Sequence, residues 1–278
     1  MIKSIEDTVI LNNGVKMPQH GFGVYLITDE KKGCEAIDKA LEVGYRAFDT
    51  AQFYENEALL GKILSESSVK RSELFITTKV ANYNQGYDST LSTAEQSLKN
   101  LHVDQLDLLL IHWPSKRYFF ETWKAMERLY DEKMVRAIGV CNFEIHHLEE
   151  LCAKANVKPV VDQVECHPYL TQQPIRDYVK KNNIAFESWS PLGRGAVLHD
   201  TVLGILAEKY NKSVAQIIIR WHLQKGNIVI PKSITPSRVE ENSKVYDFSL
   251  DESEVKIIDA LNKDKRTGDH PDVIWNQI

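Results

Sequence analysis

Eight short apolar runs recur along the chain, and a segment with helical spacing follows each of them. In most of these runs Val, Ile, Leu and Phe follow one another instead of alternating with polar residues. That pattern is typical of strands buried on both faces of a parallel sheet. The runs are residues 21–25, 47–50, 74–79, 106–113, 135–142, 160–165, 184–190 and 227–233. They predict eight parallel strands.

Between the runs, apolar residues recur at spacings of three and four, which predicts amphipathic helices. In residues 32–43, for example, Ala36, Ile37 and Ala40 share one face. Further helices are predicted at 89–101, 120–130, 146–155, 175–181, 202–210, 214–223 and from 250 onward. Strands that alternate with helices, without a Gly- or Pro-rich linker, indicate an α/β chain folded as a (β/α)8 TIM barrel. We expect this barrel to be a single domain spanning residues 1–278.

The start of the chain bears on two further points of the fold. A doubly wound sheet is the alternative to a barrel, but Gly21-Phe22-Gly23 lacks the third glycine of a dinucleotide fingerprint. Before this segment, Asn13-Gly14 stands between two short β-prone runs. This dipeptide predicts a β-hairpin with a type I′ turn, placed as an N-terminal cap on the barrel.

Composition excludes several classes of partner. The chain has 34 Lys and Arg against 39 Asp and Glu, so its net charge is −5, and it has no bulk attraction for nucleic acid or an anionic membrane. No apolar stretch fits a membrane span or a secretory signal. Four cysteines lie at spacings that match no zinc or redox motif. We expect a cytoplasmic monomer with free thiols that binds neither nucleic acid nor membranes.

Polar side chains mark the ends of the predicted strands, where barrel enzymes place their chemistry. Asp49, Lys79 and His112 end three neighbouring strands, and Tyr54 follows the first of them closely. A phenol with a pKa of about 10 is a poor acid at neutral pH unless a neighbouring cation such as Lys79 lowers its pKa. Asp49 would balance the ammonium, and a neutral His112 would hold a substrate oxygen. These four side chains therefore suit proton donation to a carbonyl group that receives a hydride.

The chain resembles the aldo-keto reductase family over residues 5–270. The resemblance lies in GYRAFDTAQFYENE (44–57), FITTKV (75–80), LLLIHWP (108–114), IGVCNF (138–143), QVECHPYL (163–170), WSPLGRG (189–195) and IPKSITPSRVEEN (230–242). It is strongest to bacterial and protozoan glyoxal or methylglyoxal reductases, 2,5-diketo-D-gluconate reductases and prostaglandin F synthases. The resemblance implies that Tyr54 donates the proton, that Lys79 and Asp49 tune its acidity, and that His112 orients the carbonyl.

A hydride donor is also required, because no tyrosine or histidine can supply one. Lys232, Ser233 and Arg238 lie beside a predicted helix start at Thr235-Pro236, which suits a phosphate group. By resemblance this is the adenosine 2′-phosphate pocket of NADPH. The resemblance and the side-chain chemistry together give the following cofactor residues: Gly23, Val24, Tyr25, Asn142, Gln163, Trp189, Ser190, Leu192, Gly193, Lys232, Ser233, Arg238, Glu241 and Asn242. Asn142 and Gln163 would bind the carboxamide, Trp189 would stack on the nicotinamide ring, and residues 190–195 would contact the pyrophosphate through backbone N–H groups.

The predicted substrate pocket is an aromatic cup, which suits small aldehydes and ketones. Its members are Tyr25, Phe53, His112 and Trp113, with Trp275 of the tail as a further candidate. Two other functions stay open. Lys79 could form a Schiff base in a different barrel enzyme, or the chain could be a non-catalytic sensor or adaptor that binds NADPH. A metal site is not expected, since His112 is the only histidine at a predicted strand end.

Overall fold

The computed structural model describes residues 2–277 and has a parallel eight-stranded sheet at its centre. Neighbouring strands of this sheet follow one another in chain order. The first and last strands then meet, since the Gly21 amide donates to the Val229 carbonyl at 2.9 Å and the Val229 amide donates to the Gln19 carbonyl at 3.0 Å. The sheet is thereby a nearly closed barrel, and the (β/α)8 prediction is confirmed. No helix in residues 2–277 is long and apolar enough to cross a membrane.

All eight predicted runs contain a strand of the barrel. The strands are β3 (Phe22–Gly23), β4 (Ala47–Asp49), β5 (Phe75–Val80), β6 (Leu108–Ile111), β7 (Ile138–Cys141), β8 (Val161–Glu165), β9 (Ala185–Trp189) and β10 (Ile228–Val229). Most are shorter than the apolar runs, because residues at the run ends leave the ladder. Leu106, for example, makes only an isolated bridge to Val135.

Helices surround the barrel. They are α1 (Glu30–Glu42), α2 (Glu57–Glu66), α3 (Tyr87–Asn100), α4 (Phe119–Asp131), α5 (Ile145–Lys154), α6 (Gln173–Lys181), α7 (Thr201–Tyr210), α8 (Val214–Gln224), α9 (Pro236–Ser243), α10 (Glu252–Asp259) and α11 (Pro271–Trp275). The predicted helices are all present, and α9 begins at Pro236 as its sequence suggested. The sequence pattern did not reveal α2, which carries a helix-weakening glycine. A Cβ on Gly61 would lie 2.3 Å from the Asn100 carbonyl oxygen, so this helix packs backbone against backbone at the end of α3.

The N-terminal hairpin closes one end of the barrel. Strands β1 (Thr8–Ile10) and β2 (Lys16–Pro18) pair in antiparallel register, with Val9 opposite Met17. Met17 packs with Phe75 and Leu108, the first residues of β5 and β6. The hairpin is confirmed, but its type I′ turn is wrong. The Leu11 amide bonds to the Val15 carbonyl, and only Gly14 has a positive φ of 85°, as in a three-residue loop with one left-handed glycine.

Candidate active site

Asp49 and Lys79 form a buried ion pair where β4 and β5 approach the open end of the barrel. The Lys79 ammonium donates to Asp49 Oδ1 at 2.5 Å and to the Thr50 carbonyl at 2.9 Å. The Lys79 side chain is fully buried. Burial lowers the pKa of Lys79 and is the largest single effect, but the Asp49 carboxylate, together with Tyr54 and Cys141, raises it, and the net pKa lies above its usual value. The amine is therefore held as an ammonium, in the pairing that the sequence predicted.

Tyr54 ends a short 3-10 turn, Gln52–Tyr54, directly after β4. Glu55 adopts left-handed geometry at φ 54° and ends this turn. The Gln52 side chain fixes the turn to the next strand, since its oxygen accepts from the Ala81 amide at 3.0 Å. This anchor places the Tyr54 hydroxyl 3.5 Å from Lys79 Nζ. The backbone thus brings the phenol to the ammonium, as the sequence predicted.

The acidity of Tyr54 differs from the sequence expectation in one respect. Burial raises the pKa of Tyr54, and the Lys79 ammonium lowers it by a smaller amount. The net pKa therefore lies above that of a free tyrosine, although Lys79 acts in the predicted direction. A hydroxyl that is still protonated at neutral pH can donate its proton when a substrate oxygen becomes basic.

His112 follows β6 and faces the phenol. Its ring centroid lies 5.7 Å from that of Tyr54 and 6.1 Å from that of Phe53, both at edge-on angles. Burial and the Lys79 ammonium hold the pKa of His112 well below its usual range. The imidazole is therefore neutral, as predicted, and suited to hydrogen bonding with a carbonyl oxygen.

Gln163 and Glu187 extend the buried polar group across the barrel. They are register partners on β8 and β9. Gln163 Nε2 donates to Asp49 Oδ2 at 2.8 Å and to Glu187 Oε2 at 2.9 Å. Since both carboxyl groups use this nitrogen, the amide oxygen of Gln163 is the atom left to accept from a ligand. Among the described residues, the Cys141 thiol alone donates to this oxygen, at 3.6 Å.

Asn142 and Trp189 lie together at the ends of β7 and β9. Asn142 has a left-handed backbone with φ 64°. Its amide nitrogen donates to the His112 carbonyl at 2.9 Å, and its oxygen accepts from the Trp189 indole at 2.8 Å. The half-buried indole thus lies next to the catalytic candidates, where a planar ring could stack on it.

The predicted phosphate residues lie at the start of α9. Ser233 accepts from the Thr235 amide at 3.1 Å, which shapes the loop before Pro236. Glu240, one of two acidic residues of this helix, pairs with Lys244 at 2.6 Å, and Lys232 and Arg238 are exposed to solvent. The last two residues of the predicted cofactor set also lie on α9, where Glu241 is exposed and Asn242 is buried.

Gly23 connects this basic loop to the first strand. A Cβ there would lie 3.1 Å from the Ile230 carbonyl and 3.7 Å from Lys232 Cβ. Val24 is different, because its side chain packs in the apolar core. A ligand could meet Val24 only through its backbone, whose amide already donates to the Asp49 carbonyl at 3.0 Å.

The segment after β9 differs from the predicted anion nest. It forms a short 3-10 turn, Gly193–Gly195. The Gly193 amide donates to the Ser190 carbonyl and the Gly195 amide to the Leu192 carbonyl, each at 2.8 Å. These two N–H groups are used within the turn, and the contact of residues 190–195 with a pyrophosphate stays a prediction.

Tyr25 and Phe53, two residues of the predicted aromatic cup, lie beside Tyr54 and His112, and their contact with a substrate stays a prediction. The Tyr25 ring lies 4.8 Å from that of Tyr54. Phe53 is 56 % exposed and Trp113 is half-buried. Trp275 is the exception, because it packs 4.5 Å from the His147 ring and 5.2 Å from the Phe119 ring, against α5 and α4. Whether Trp275 also joins the cup stays a prediction.

The C-terminal segment instead binds along the ends of β7 and β8. The amides of Thr267 and Gly268 donate to the Glu165 carboxylate at 2.6 and 3.2 Å. Farther along, Asp272 lies 3.0 Å from His146 and 3.4 Å from His147. The Glu144 amide donates to His147 Nδ1, so the proton of this neutral ring is on Nε2, which has no hydrogen-bond partner in the part of the chain described. The tail is therefore held by the hydrogen bonds of Thr267 and Gly268 to Glu165, with Asp272 close to the two histidines.

Three residues that organise the site were not predicted. Gln52 anchors the tyrosine turn, and Glu187 contacts Gln163 from inside the barrel. Asn56 donates to the Val24 carbonyl at 2.8 Å and accepts from the Thr50 hydroxyl at 2.7 Å, which connects β3 to β4. Two amide side chains flanking Tyr54 were a visible signal, whereas the run at 184–190 predicted a buried strand without indicating that Glu187 contacts Gln163.

The chain belongs to the aldo/keto reductase family, whose family model matches residues 21–263. It is 51 % identical over 272 residues to glyoxal reductase of Bacillus subtilis (strain 168), covering 98 % of this chain and 99 % of that protein. It is 47 % identical to methylglyoxal reductase DkgA of Escherichia coli (strain K12), covering 95 % and 97 %. Among solved structures, a mutant of Gox0644 in complex with NADPH is 42 % identical, with a TM-score of 0.91 and 98 % of both chains covered.

Proposed function

We propose that this member of the aldo/keto reductase family reduces small aldehydes and ketones to alcohols with NADPH. The observation that carries the proposal is the Tyr54 hydroxyl, 3.5 Å from a fully buried ammonium that is itself paired with Asp49. A phenol in this position can release a proton because the ammonium stabilises the phenolate that remains. Among the described residues, no other tyrosine hydroxyl has such a neighbour.

The residues present fit the cofactor. At the start of α9, Lys232 and Arg238 offer two cations that form no salt bridge within residues 2–277, and Ser233 offers a hydroxyl, so the loop suits a 2′-phosphate. In the barrel, the free oxygen of Gln163 can accept from a carboxamide, and the Trp189 indole can stack on a ring. When bound, NADPH supplies the hydride for the carbonyl carbon.

The protein residues supply the proton and hold the substrate. Neutral His112 donates a hydrogen bond to the carbonyl oxygen and keeps this oxygen next to Tyr54. Tyr54 then gives its proton to the oxygen as the carbon gains the hydride, and an alcohol results. The Lys79 ammonium stabilises the phenolate, and Asp49 keeps Lys79 charged.

Glyoxal- and methylglyoxal-like compounds are the proposed substrates, with diketogluconate-like carbonyls as a second group. The names of the two relatives support the first group. The aromatic side chains Tyr25, Phe53 and Trp113 at the opening offer a small apolar pocket with few polar anchors. Such a pocket favours compact carbonyl compounds.

The Schiff-base alternative is disfavoured by the state of Lys79. A Schiff base needs an uncharged amine as nucleophile. Lys79 donates to Asp49 and to the Thr50 carbonyl, and its pKa is raised. The alternative of a non-catalytic NADPH-binding adaptor gives no reason for a neutral His112 beside Tyr54.

We also propose that residues 1–278 form a single reductase domain that acts as a cytoplasmic monomer. The family model covers most of this length. The four cysteines are all unpaired, which suits a reducing compartment. Analytical ultracentrifugation would test the monomer, with a stable dimer as the contradicting result.

The proposed reaction is tested by NADPH absorbance with methylglyoxal, glyoxal, diketogluconate and a nitrobenzaldehyde. We expect turnover with at least one of them. Tyr54→Phe should lower turnover by about 10²–10³-fold with NADPH binding kept, because only the acidic proton is lost. Tyr25→Phe is the control, since it removes a hydroxyl from the adjacent ring. Equal effects of the two changes would remove Tyr54 from its role, and no turnover of any carbonyl would contradict the reductase itself.

A further inference from the structure

Glu187 is a second carboxyl group inside the barrel, behind the ion pair of the site. It lies on β9 and has no solvent exposure. Its Oε2 accepts from Gln163 Nε2 at 2.9 Å, and its Oε1 has no hydrogen-bond partner in the part of the chain described. The proposed reaction gives this residue no direct part, although one amide nitrogen connects it to Asp49.

The charges around Glu187 do not balance if it is ionised. Asp49 on β4, Lys79 on β5 and Cys141 on β7 are the titratable groups that face it, and β10 presents apolar Ile228 as its register partner. The single ammonium is 2.5 Å from Asp49, so Glu187 has no cation of its own within residues 2–277. An unpaired carboxylate in an apolar interior is costly. Burial, together with the Asp49 charge, raises the pKa of Glu187 to about 8.

We propose that Glu187 is a positioning residue, which acts in its protonated form by holding the Gln163 amide so that its oxygen faces the nicotinamide end of the site. The inference rests on the proposed function, because it assigns the Gln163 oxygen to that ligand. The inference follows from Gln163 Nε2, which donates to both Asp49 and Glu187. With two carboxyl groups on its Nε2, Gln163 cannot rotate its amide without losing both hydrogen bonds.

Ionisation of Glu187 has a predictable effect on the reaction. It would add a negative charge next to Asp49 and leave the buried group with a net charge of −1. A nearby negative charge raises the pKa of Tyr54, as Asp49 already does. The phenol would then be a weaker acid, and reduction would slow as the pH rises through the pKa of Glu187.

The first test measures stability and does not depend on activity. A carboxyl group whose pKa is raised in the folded state ionises first in the unfolded chain, so stability falls as pH rises from about 4.3 to the folded pKa. Over this window one such group changes the folding equilibrium by up to about tenfold per pH unit. Urea unfolding of the full chain between pH 5 and 8 should therefore show a smaller decline for Glu187→Gln than for the unmodified protein.

Asp162→Asn is the matched control. Asp162 precedes Gln163 on β8 and points to the opposite face of the strand, outside the barrel. It is also fully buried, with one oxygen unpartnered and a raised pKa. Its replacement should reduce the stability decline in the same way, but should leave the pH profile of turnover unchanged.

The second test measures carbonyl turnover from pH 6 to 9.5 with saturating NADPH. We expect the unmodified enzyme and Asp162→Asn to lose turnover above about pH 8, and Glu187→Gln to keep its turnover to higher pH. Glu187→Ala should lower turnover about tenfold at every pH, because Gln163 loses a hydrogen bond, and Glu187→Gln should recover most of that loss.

The two tests separate the possible failures. A stability decline in Glu187→Gln equal to that of the unmodified protein would show that Glu187 is ionised, and would overturn the inference. So would identical pH profiles of turnover. An unmodified protein that reduces no carbonyl would refute the proposed function, while the stability comparison would still decide the protonation state.

Discussion

The two ends of the barrel interior are equally buried and chemically opposite. Near the start of the strands, Phe75 and Leu108 pack on Met17 of the hairpin, and none is more than 3 % exposed. Toward the open end, Lys79 and Glu187 are as deeply buried, yet they are ionisable. Burial alone therefore does not identify a core. Apolar side chains stabilise the hairpin end of the barrel because they are removed from water. The ionisable side chains at the open end depend on each other for hydrogen bonds and charge balance.

This difference explains why the open end of the barrel can perform chemistry. A charge in a water-excluded site interacts more strongly with its neighbours than it would in water. The same environment holds His112 neutral and Lys79 charged, although both lie near the same phenol. The apolar packing at the hairpin end supplies the rigid closed barrel that keeps these groups at hydrogen-bonding distance.

The largest expected effect comes from breaking the charged pair. Lys79→Met leaves the Asp49 carboxylate buried without a cation, and we expect a loss of about 3–5 kcal/mol in the free energy of unfolding, together with most of the turnover. Leu108→Ala should cost about 2–5 kcal/mol through a cavity, while the protein that stays folded keeps its turnover. Urea unfolding and NADPH oxidation measure the two quantities.

The double change Lys79→Met with Asp49→Asn sharpens this comparison. It removes both charges, so stability should return while turnover stays low. If the double variant regained turnover, the ammonium would have no part in catalysis. If the folded fraction of Leu108→Ala lost turnover, catalysis at the open end would depend on packing at the hairpin end.

The sequence was sufficient to predict the apolar barrel strands and part of the polar site at the open end. Short apolar runs, most of them continuous in Val, Ile, Leu and Phe, predicted every barrel strand, because burial on both faces leaves a mark in the sequence. Asp49, Tyr54, Lys79 and His112 were also identifiable, since polar residues at the ends of apolar runs stand out. These inferences needed only residue type and order along the chain.

Other features depended on tertiary packing that the sequence does not express. The net pKa of Tyr54 is set by its depth of burial, which exceeds the effect of one cation. Glu187 becomes part of the site only because β9 turns it inward, toward Gln163. The hairpin turn has three loop residues because Leu11, and not Asn12, pairs with Val15.

A second prediction concerns the basic loop outside the barrel, which extends the polar end. Arg238→Ala should weaken NADPH binding by about 10–100-fold, because it removes hydrogen bonds to a charged phosphate. It should change NADH binding little. Fluorescence titration of both cofactors measures this. Lys244→Ala is the control on the same helix, because Lys244 already pairs with Glu240. Equal losses for NADPH and NADH would contradict the 2′-phosphate assignment.

The smallest predicted effect lies at the hairpin end, where backbone geometry alone is tested. Gly14 and Gly204 both have room for a Cβ, with no heavy atom within 4 Å of its position, but only Gly14 has a positive φ. Gly14→Ala should therefore cost about 1–2 kcal/mol of stability through left-handed strain, whereas Gly204→Ala in α7 should gain about 1 kcal/mol through helix propensity. Urea unfolding measures both, and turnover should be unchanged in each variant, because the hairpin and α7 lie away from the ionisable end. A loss of turnover in Gly14→Ala would mean that strain at the closed end of the barrel reaches the Lys79 pair.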